Sequence, residues 1–123
     1  MAKSQFRSIK KISGKKYLNL RKKRLCELGR EPAFTQIGKK REKNKRVMGG
    51  NIKKVLLSTE QVLVSIKDKT EKLNILTVTN NPANVNFTRR NIITKGCIVK
   101  TEKGDVKITS RPGQTGLLQG VLI

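Results

Sequence analysis

Residues 54–79 have the sequence KVLLSTEQVLVSIKDKTEKLNILTVT, in which short runs of aliphatic and β-branched residues alternate with polar turn residues. The runs cover Lys54 to Ser58, Gln61 to Ile66 and Leu73 to Thr79. Val, Ile and Thr favour extended backbone, and runs of this length separated by few residues are typical of consecutive strands. This part of the chain is therefore predicted to form strands joined by tight turns.

The remainder of the chain continues this pattern. Asn80 to Asn84 predicts a loop, because proline disfavours helix before it and asparagine competes for backbone hydrogen bonds. Cys97 to Thr101 and Val106 to Ser110 flank a short turn and predict a hairpin, and Leu117 to Ile123 supplies a last apolar strand. About six short strands with no amphipathic helix between them indicate a mainly β fold, a small antiparallel β-barrel whose closure hides the strand edges.

Most of the positive charge lies in the N-terminal third of the chain. The first 46 residues contain 17 Lys or Arg against 3 Glu, a local excess of +14 out of a total of +21. So basic a segment buries too little apolar surface to offset its ordering entropy and self-repulsion, and it requires a polyanion as partner. The dense polyanion that best fits this requirement is folded RNA.

The basic segment is predicted to be a largely extended arm with one short helix. Met1 to Lys16 shows no sustained periodicity, whereas Leu18 to Leu28 is rich in helix formers and is followed by Gly29 and Pro32. We therefore expect residues 1–38 to be a basic RNA-binding N-terminal extension and residues 39–123 to be a β-barrel domain. The boundary is expected between Lys39 and Lys53, where a second basic run and the turn signal GGN precede the first strand.

The composition narrows the possible functions. A pI near 10.7 favours nucleic acid, an anionic membrane surface or an acidic protein as partner. The chain has no His, and five of its eight acids, Glu60, Asp68, Glu71, Glu102 and Asp105, lie in or beside predicted turns, so no catalytic residue, enzymatic activity or small-molecule substrate is expected. Cys26 and Cys97 form no Cys-x-x-Cys pair, so no metal site or cofactor is expected. Without a long apolar run or a signal peptide, we expect a cytoplasmic protein with no membrane partner.

Lys and Arg contacts to phosphates are the expected mode of RNA binding, because the aromatic residues are scattered and show no stacking pair. In the cluster Arg89 to Asn91 the arginines suit phosphate and Asn91 can read a base edge, although adjacent arginines can also protect a sheet edge. Arg111 lies on a proline-stiffened turn, where an RNA contact and simple exposure are equally consistent. The candidate RNA-binding residues are Lys15, Lys16, Arg21, Lys22, Lys23, Arg24, Arg30, Lys39, Lys40, Arg41, Lys45, Arg46, Arg89, Arg90, Asn91, Lys95 and Arg111.

Several sequence blocks occur in an order that resembles a known family. They include Glu27 to Arg30 (ELGR), Asn81 to Asn84 (NPAN), Arg89 to Gly96 (RRNIITKG) and Thr109 to Gln114 (TSRPGQ). With these blocks the chain resembles the S-eight-e family of small-subunit ribosomal proteins of archaea and eukaryotes, and its short length resembles the archaeal form. A departure is Cys26, where the family usually has an aromatic residue.

The resemblance implies a compact β-barrel with a basic N-terminal extension that threads into small-subunit ribosomal RNA. It also implies a structural role in translation, without catalysis, beside neighbouring small-subunit ribosomal proteins. The alternative that charge alone allows is a nucleoid or chromatin protein that binds DNA without sequence preference. An RNA-processing enzyme would require an acidic cluster or a His, and the sequence shows neither.

Overall fold

The computed structural model describes residues 4, 6–29, 31–66 and 69–123. The chain divides into two compact units, of which the first ends at Pro32 and the second is Ala33–Ile123. The second unit includes the strand Thr35–Ile37, which the sequence analysis assigned to the basic extension. The division into an RNA-binding extension, residues 1–38, and a barrel, residues 39–123, stays a prediction.

Nine strands and two short α-helices form the described part of the second unit. The strands are β1 (Thr35–Ile37), β2 (Arg41–Arg46), β3 (Ile52–Thr59), β4 (Gln61–Ile66), β5 (Lys69–Asn80), β6 (Ile92–Ile93), β7 (Ile98–Thr101), β8 (Gly104–Ile108) and β9 (Gln119–Leu122). The helices are α1 (Val85–Arg89) and α2 (Pro112–Thr115). Every strand run predicted from the sequence is present, whereas β1, β2, β6 and both helices were not predicted.

Strands β4, β5, β7, β8 and β9 form a closed barrel. Neighbouring strands are antiparallel except for β4 and β9, which pair in parallel. Five strands cannot alternate in direction all the way round a closed ring, so at least one neighbouring pair must be parallel. The small β-barrel predicted from the sequence is confirmed, with this one parallel pair at its closure.

Aliphatic side chains from alternate strand positions fill the barrel, as the two-residue period of β-strands requires. The core is formed by Leu56, Val62, Val64, Leu73, Ile75, Val78, Ile93, Cys97, Val99, Val106, Ile108 and Leu118. Burial raises the pKa of the Cys97 thiol, which behaves here as a small apolar side chain. Leu56 comes from β3 and Ile93 from β6, so strands outside the barrel share its core.

Those two strands belong to a four-stranded sheet with the order β2-β3-β1-β6. The sheet is mixed, because β1 is parallel to β3 and antiparallel to β6. The buried hydroxyl of Thr35 donates to the carbonyl of Leu56 over 2.8 Å and joins β1 to β3. Strand β2 pairs only with β3, and its sequence REKNKR places charged residues along an edge strand, which disfavours pairing with another chain.

The connection between β2 and β3 is a 3₁₀ turn at Met48–Gly50. Gly49 and Gly50 have φ values of 74° and 76°, a region in which only glycine is free of strain. The turn signal GGN in the sequence is thereby confirmed. It joins β2 and β3 into a two-stranded ribbon that carries lysines on both strands and arginines on β2.

The helix predicted over Leu18 to Leu28 was wrong. This segment contains a single 3₁₀ turn, Leu25–Glu27, and the side chains of Leu18 and Leu25 are each 83% exposed. Lysines and arginines occur all around the expected helix, so it would present no apolar face to bury. A short helix without such a face is marginal in water.

The described part of the N-terminal arm also turns back on itself. The N–H of Lys11 donates to the carbonyl of Lys15 over 2.8 Å, and the N–H of Tyr17 donates to the carbonyl of Ile9 over 3.1 Å. Gly14, with a φ of 78°, occupies the turn. Residues 9–17 therefore form a small reversal rather than a fully extended segment.

Candidate nucleic-acid interface

The β2–β3 ribbon brings lysines from both strands into register. Lys45 of β2 lies opposite Lys53 of β3, and Asn44 lies opposite Lys54. Like charges directly opposite each other repel across a sheet. An anion bound between Lys45 and Lys53 would relieve this repulsion, so the ribbon favours a polyanionic partner.

Helix α2 packs directly on this ribbon. Gly116 ends the helix with a φ of 71°, and a Cβ atom built on it would lie 2.7 Å from Cβ of Lys54. The ammonium of Lys53 donates to Oε1 of Gln114 over 2.9 Å. Arg111 precedes the helix, and its exposed side chain therefore lies on the turn that is fixed against β3.

A second set of contacts connects α1 to the same region. The rings of Phe34 and Phe87 meet edge to face with centroids 5.5 Å apart, and the guanidinium of Arg90 lies 5.7 Å from the Phe34 ring centroid. Ala33 faces α2, because a Cβ atom built on Gly113 would lie 3.7 Å from Cβ of Ala33. Adjacent residues 33 and 34 thus join α2 to Arg90.

These contacts bring together cations that are far apart in the sequence. We call them the cationic face, defined as Lys45, Lys53, Arg90 and Arg111. Sequence analysis placed three of these residues in three separate clusters and missed Lys53. The pairing of β2 with β3, the packing of α2 on β3 and the contacts of residues 33 and 34 connect the elements that carry these four residues.

Lys95 lies beside a loop that is rigidly fixed. The side chain of Asn81 is 2% exposed; its amide donates to the carbonyl of Ile92 over 3.0 Å, and its Oδ1 accepts from the hydroxyl of Thr94 over 2.9 Å. The predicted loop is confirmed at residues 81–84, whereas Asn80 is the last residue of β5. Lys95 itself is exposed, directly after Thr94.

The side chain of Asn91, one of the predicted RNA-binding residues, contributes to the fold. It follows α1 with a φ of 49°, the left-handed region that asparagine tolerates better than most residues. Its Oδ1 accepts a 3.4 Å hydrogen bond from the N–H of Val78. The predicted base contact by Asn91 would therefore have to use its side-chain NH₂ group. Arg89, two positions earlier, is exposed.

Two of the predicted RNA-binding cations already have carboxylate partners. Arg21 forms an ion pair with Glu27, and a second nitrogen, Nη1, donates to Oε2 of the same carboxylate over 3.3 Å. Lys40 lies 2.7 Å from a carboxylate oxygen of Glu42. Hydrogen bonds from Arg21 and Lys40 lower the pKa values of Glu27 and Glu42, respectively. These two cations are less available to RNA than their neighbours.

The other predicted cations point to solvent, apart from the half-buried Lys45. Arg30 lies outside the residues that the structure describes. The exposed predicted cations are Lys15, Lys16, Lys22, Lys23, Arg24, Lys39, Arg41, Arg46, Arg89, Arg90, Lys95 and Arg111.

Ion pairs are few relative to the number of cations. Among the described residues, Arg21–Glu27, Lys40–Glu42 and Lys103–Glu71 are the salt bridges. Nor does any cluster of three or more His, Cys, Asp or Glu side chains suited to a metal ion occur in residues 4, 6–29, 31–66 and 69–123. Within the same residues, no helix has the length and hydropathy needed to cross a membrane.

Sequence reasoning missed Lys53, Lys54 and the aromatic contacts. The predicted boundary region ended at Lys53 and the first predicted strand began at Lys54, so neither lysine was considered as an RNA contact. A basic run followed by GGN and a second basic pair is the signal of a charged hairpin, and it could have identified them. The stacking of Arg7 on Tyr17, at 4.3 Å from the ring centroid, had no recognisable sequence signal.

Comparison with known proteins identifies a family that this chain matches. Residues 4–123 match the protein family described as ribosomal protein S8e. Small ribosomal subunit protein eS8 of Nanoarchaeum equitans is 50% identical over 123 residues, which cover 97% of this chain and 95% of that protein. The protein of the same name from Methanobrevibacter smithii is 46% identical over 125 residues and covers both chains completely. That from Methanosphaerula palustris is 42% identical over 97% of each chain.

The chain belongs to the ribosomal protein S8e family. The resemblance inferred from the sequence blocks is therefore confirmed, including the similarity to archaeal members. The family is structural and non-enzymatic, as expected from the composition.

Proposed function

We propose that this chain is a structural constituent of the small ribosomal subunit in the cytoplasm, with a role in translation. There it binds and stabilises small-subunit ribosomal RNA through Lys and Arg contacts to phosphates, and it contacts neighbouring small-subunit ribosomal proteins. Membership of the S8e family and the names of the relatives support the assignment to the subunit.

The observation that carries the RNA-binding proposal is the number of exposed cations without a carboxylate partner among the described residues. The chain has 29 Lys and Arg against 8 Asp and Glu, and three described acids are already taken by ion pairs. Lys45 opposite Lys53 adds a specific local repulsion. Closely spaced phosphates compensate such charges, and the release of condensed counterions from RNA supplies the driving force.

The two parts of the chain have different roles in this proposal. Residues 1–38 neutralise phosphates that are crowded together in folded RNA, chiefly through Lys15, Lys16 and the run from Lys22 to Arg24. Residues 39–123 present a rigid surface, the cationic face, to the outside of an RNA helix junction. The barrel core and the packing of α2 on β3 support this surface, since they fix the positions of its side chains.

The salt dependence of binding to purified small-subunit ribosomal RNA tests the proposal. A variant with Lys45, Lys53, Arg90 and Arg111 replaced by Gln should reduce the slope of log K against log [salt] by roughly 0.7–0.9 for each lost contact. The matched control replaces Lys69, Lys72, Lys100 and Lys107, four exposed lysines on the barrel strands, by Gln. Equal losses in both variants would show that only net charge matters and would contradict a defined face.

Competition with DNA distinguishes the ribosomal role from nonspecific DNA binding. We expect excess duplex DNA to leave the complex with small-subunit ribosomal RNA largely intact at physiological salt. Displacement of the RNA by excess duplex DNA at physiological salt would instead favour a nucleoid or chromatin protein.

A further inference from the structure

The first unit contains a groove of about 440 Å³ between the reversal at residues 9–17 and the segment that carries the Arg21–Glu27 ion pair. Twelve described residues line it. Aromatic and aliphatic side chains in the lining include Phe6, Ile9, Tyr17 and Leu20. A groove of this volume is large enough for one nucleotide but too small for a base-paired duplex.

An exposed aromatic ring lies in this groove. Tyr17 is 37% exposed, and the guanidinium of Arg7 lies 4.3 Å from its ring centroid. Nζ of Lys11 is 5.4 Å from the same centroid, and Phe6 nearby is 71% exposed. Aromatic rings and guanidinium planes are the surfaces on which unpaired bases stack.

The charge of the groove favours an anion. Arg7, Lys16, Arg21 and Lys23 contribute to its lining, and Glu27 is the one carboxylate among the described lining residues. Because Glu27 is bound to Arg21, the remaining three cations are in excess. An apolar ring surrounded by surplus cations matches a nucleotide, which combines an apolar base face with a phosphate.

We infer that this groove binds a single unpaired RNA nucleotide, with the base stacked against the Tyr17–Arg7 pair and the phosphate contacting Lys16 or Lys23. The inference rests on the proposed function and adds a preference for single-stranded RNA to the phosphate contacts described above. Paired bases are excluded, because both of their faces are covered by stacking within the helix.

Tyr17 provides a direct signal for the test, because it is the only Tyr and the chain has no Trp. The full chain is titrated with an RNA hairpin that has an unpaired loop, and with a fully paired RNA duplex that has the same number of phosphates. Tyrosine emission is expected to decrease to a plateau with the hairpin and to change little with the duplex.

Three substitutions complete the experiment, with affinities measured by the anisotropy of end-labelled RNA because the Tyr17 variants have no tyrosine emission. Tyr17→Leu should weaken hairpin binding about tenfold, within the range that one stacked base supports, and leave duplex binding unchanged. Tyr17→Phe keeps the ring and should keep the affinity. The matched control is Leu18→Ala, which removes an 83% exposed side chain that does not line the groove and should not affect binding.

The outcomes separate this inference from the proposed function. Unchanged hairpin affinity in Tyr17→Leu, or equal quenching by hairpin and duplex, would overturn the nucleotide site while RNA binding by the chain stands. Quenching by a poly-glutamate peptide at matched charge would overturn it as well, in favour of an acidic protein partner. Failure of the full chain to bind small-subunit ribosomal RNA would contradict the proposed function itself.

Discussion

The ammonium of Lys53 donates a 2.9 Å hydrogen bond to Oε1 of Gln114, although the two residues are 61 positions apart in the chain. The bond joins β3 to α2, whose last residue is followed by Gly116 in contact with Lys54. Arg111 at the start of α2 is thereby held next to the charged β2–β3 ribbon. The cationic face depends on this contact between the ribbon and a single helical turn.

Gly116→Ala should destabilise the second unit. The φ of 71° is unfavourable for alanine, and the new Cβ atom would lie 2.7 Å from Cβ of Lys54 and 3.5 Å from its carbonyl carbon. We expect a loss of about 2 kcal/mol in the free energy of unfolding, measured by urea denaturation.

Gly113→Ala is the control for this substitution. A Cβ atom at residue 113 would lie 3.7 Å from Cβ of Ala33, an ordinary van der Waals contact, and residue 113 is helical. The stability should stay the same or rise by up to about 1 kcal/mol, because alanine favours helix over glycine. Equal destabilisation by both substitutions would contradict the packing of Gly116 on Lys54.

Asn81→Ala should be among the more damaging polar substitutions. The carbonyl of Ile92, the hydroxyl of Thr94 and the N–H of Ala83 would each lose a partner in or beside the interior. We expect a loss of about 3 kcal/mol in the free energy of unfolding, because unsatisfied buried polar groups cost about 1–3 kcal/mol each. The control Asn86→Ala removes an exposed side chain on α1 and should change stability little; a comparable effect of both would refute the role of Asn81.

The Arg21–Glu27 ion pair should be visible in a pH titration. Because the hydrogen bond from Arg21 lowers the pKa of Glu27, its carboxyl should titrate at lower pH than an ordinary Glu. At pH values above the usual pKa of Glu, the pair therefore stabilises the turn at Leu25–Glu27. This stabilisation is lost as the pH falls through the lowered pKa of Glu27. Carboxyl ¹³C NMR should show this value rising in Arg21→Gln; an unchanged pKa would mean that the pair does not persist in solution.

Removal of residues 1–32 should reduce the salt dependence of RNA binding. This segment carries 11 Lys and Arg, whereas the core residues all lie in Ala33–Ile123, so the second unit should keep its fold. We expect the slope of log K against log [salt] to fall by about 4, which corresponds to phosphate contacts by roughly half of those cations. An unchanged slope in a folded, shortened chain would exclude an RNA-binding role for the segment.

The strands that supply the apolar core could be predicted because their sequence pattern reflects burial. Strands β3, β4 and β5 contain β-branched and aliphatic residues at the spacing that a half-buried strand requires. Strand β2 could not be recognised in this way, because REKNKR contains no apolar residue and lies at a sheet edge. Its position is determined by pairing with β3 after the glycine turn, a tertiary effect that leaves no periodicity in the sequence.

The candidate site was predictable in its residue types but not in its geometry. Composition was sufficient to identify Arg90, Arg111 and Lys45 as candidates, whereas their common location depends on contacts between elements far apart in the chain. Helix propensity wrongly predicted a helix over residues 18–28, because the propensities do not account for the missing apolar face. Asn91 was predicted from the sequence only as an RNA contact, whereas its side chain also contributes to the fold by accepting a hydrogen bond from the N–H of Val78.

Chemical labelling of lysines tests the central claim most directly, by comparing the free protein with the protein inside purified small ribosomal subunits. If the exposed cations bind ribosomal RNA, amine-specific acetylation read by mass spectrometry should be strongly reduced in the subunit for the lysines of the basic segment and the ribbon. The lysines to be followed are Lys15, Lys16, Lys22, Lys23, Lys39, Lys45, Lys53 and Lys95. Labelling of these residues to the same extent in the subunit as in the free protein, or absence of the protein from the subunit, would contradict the account.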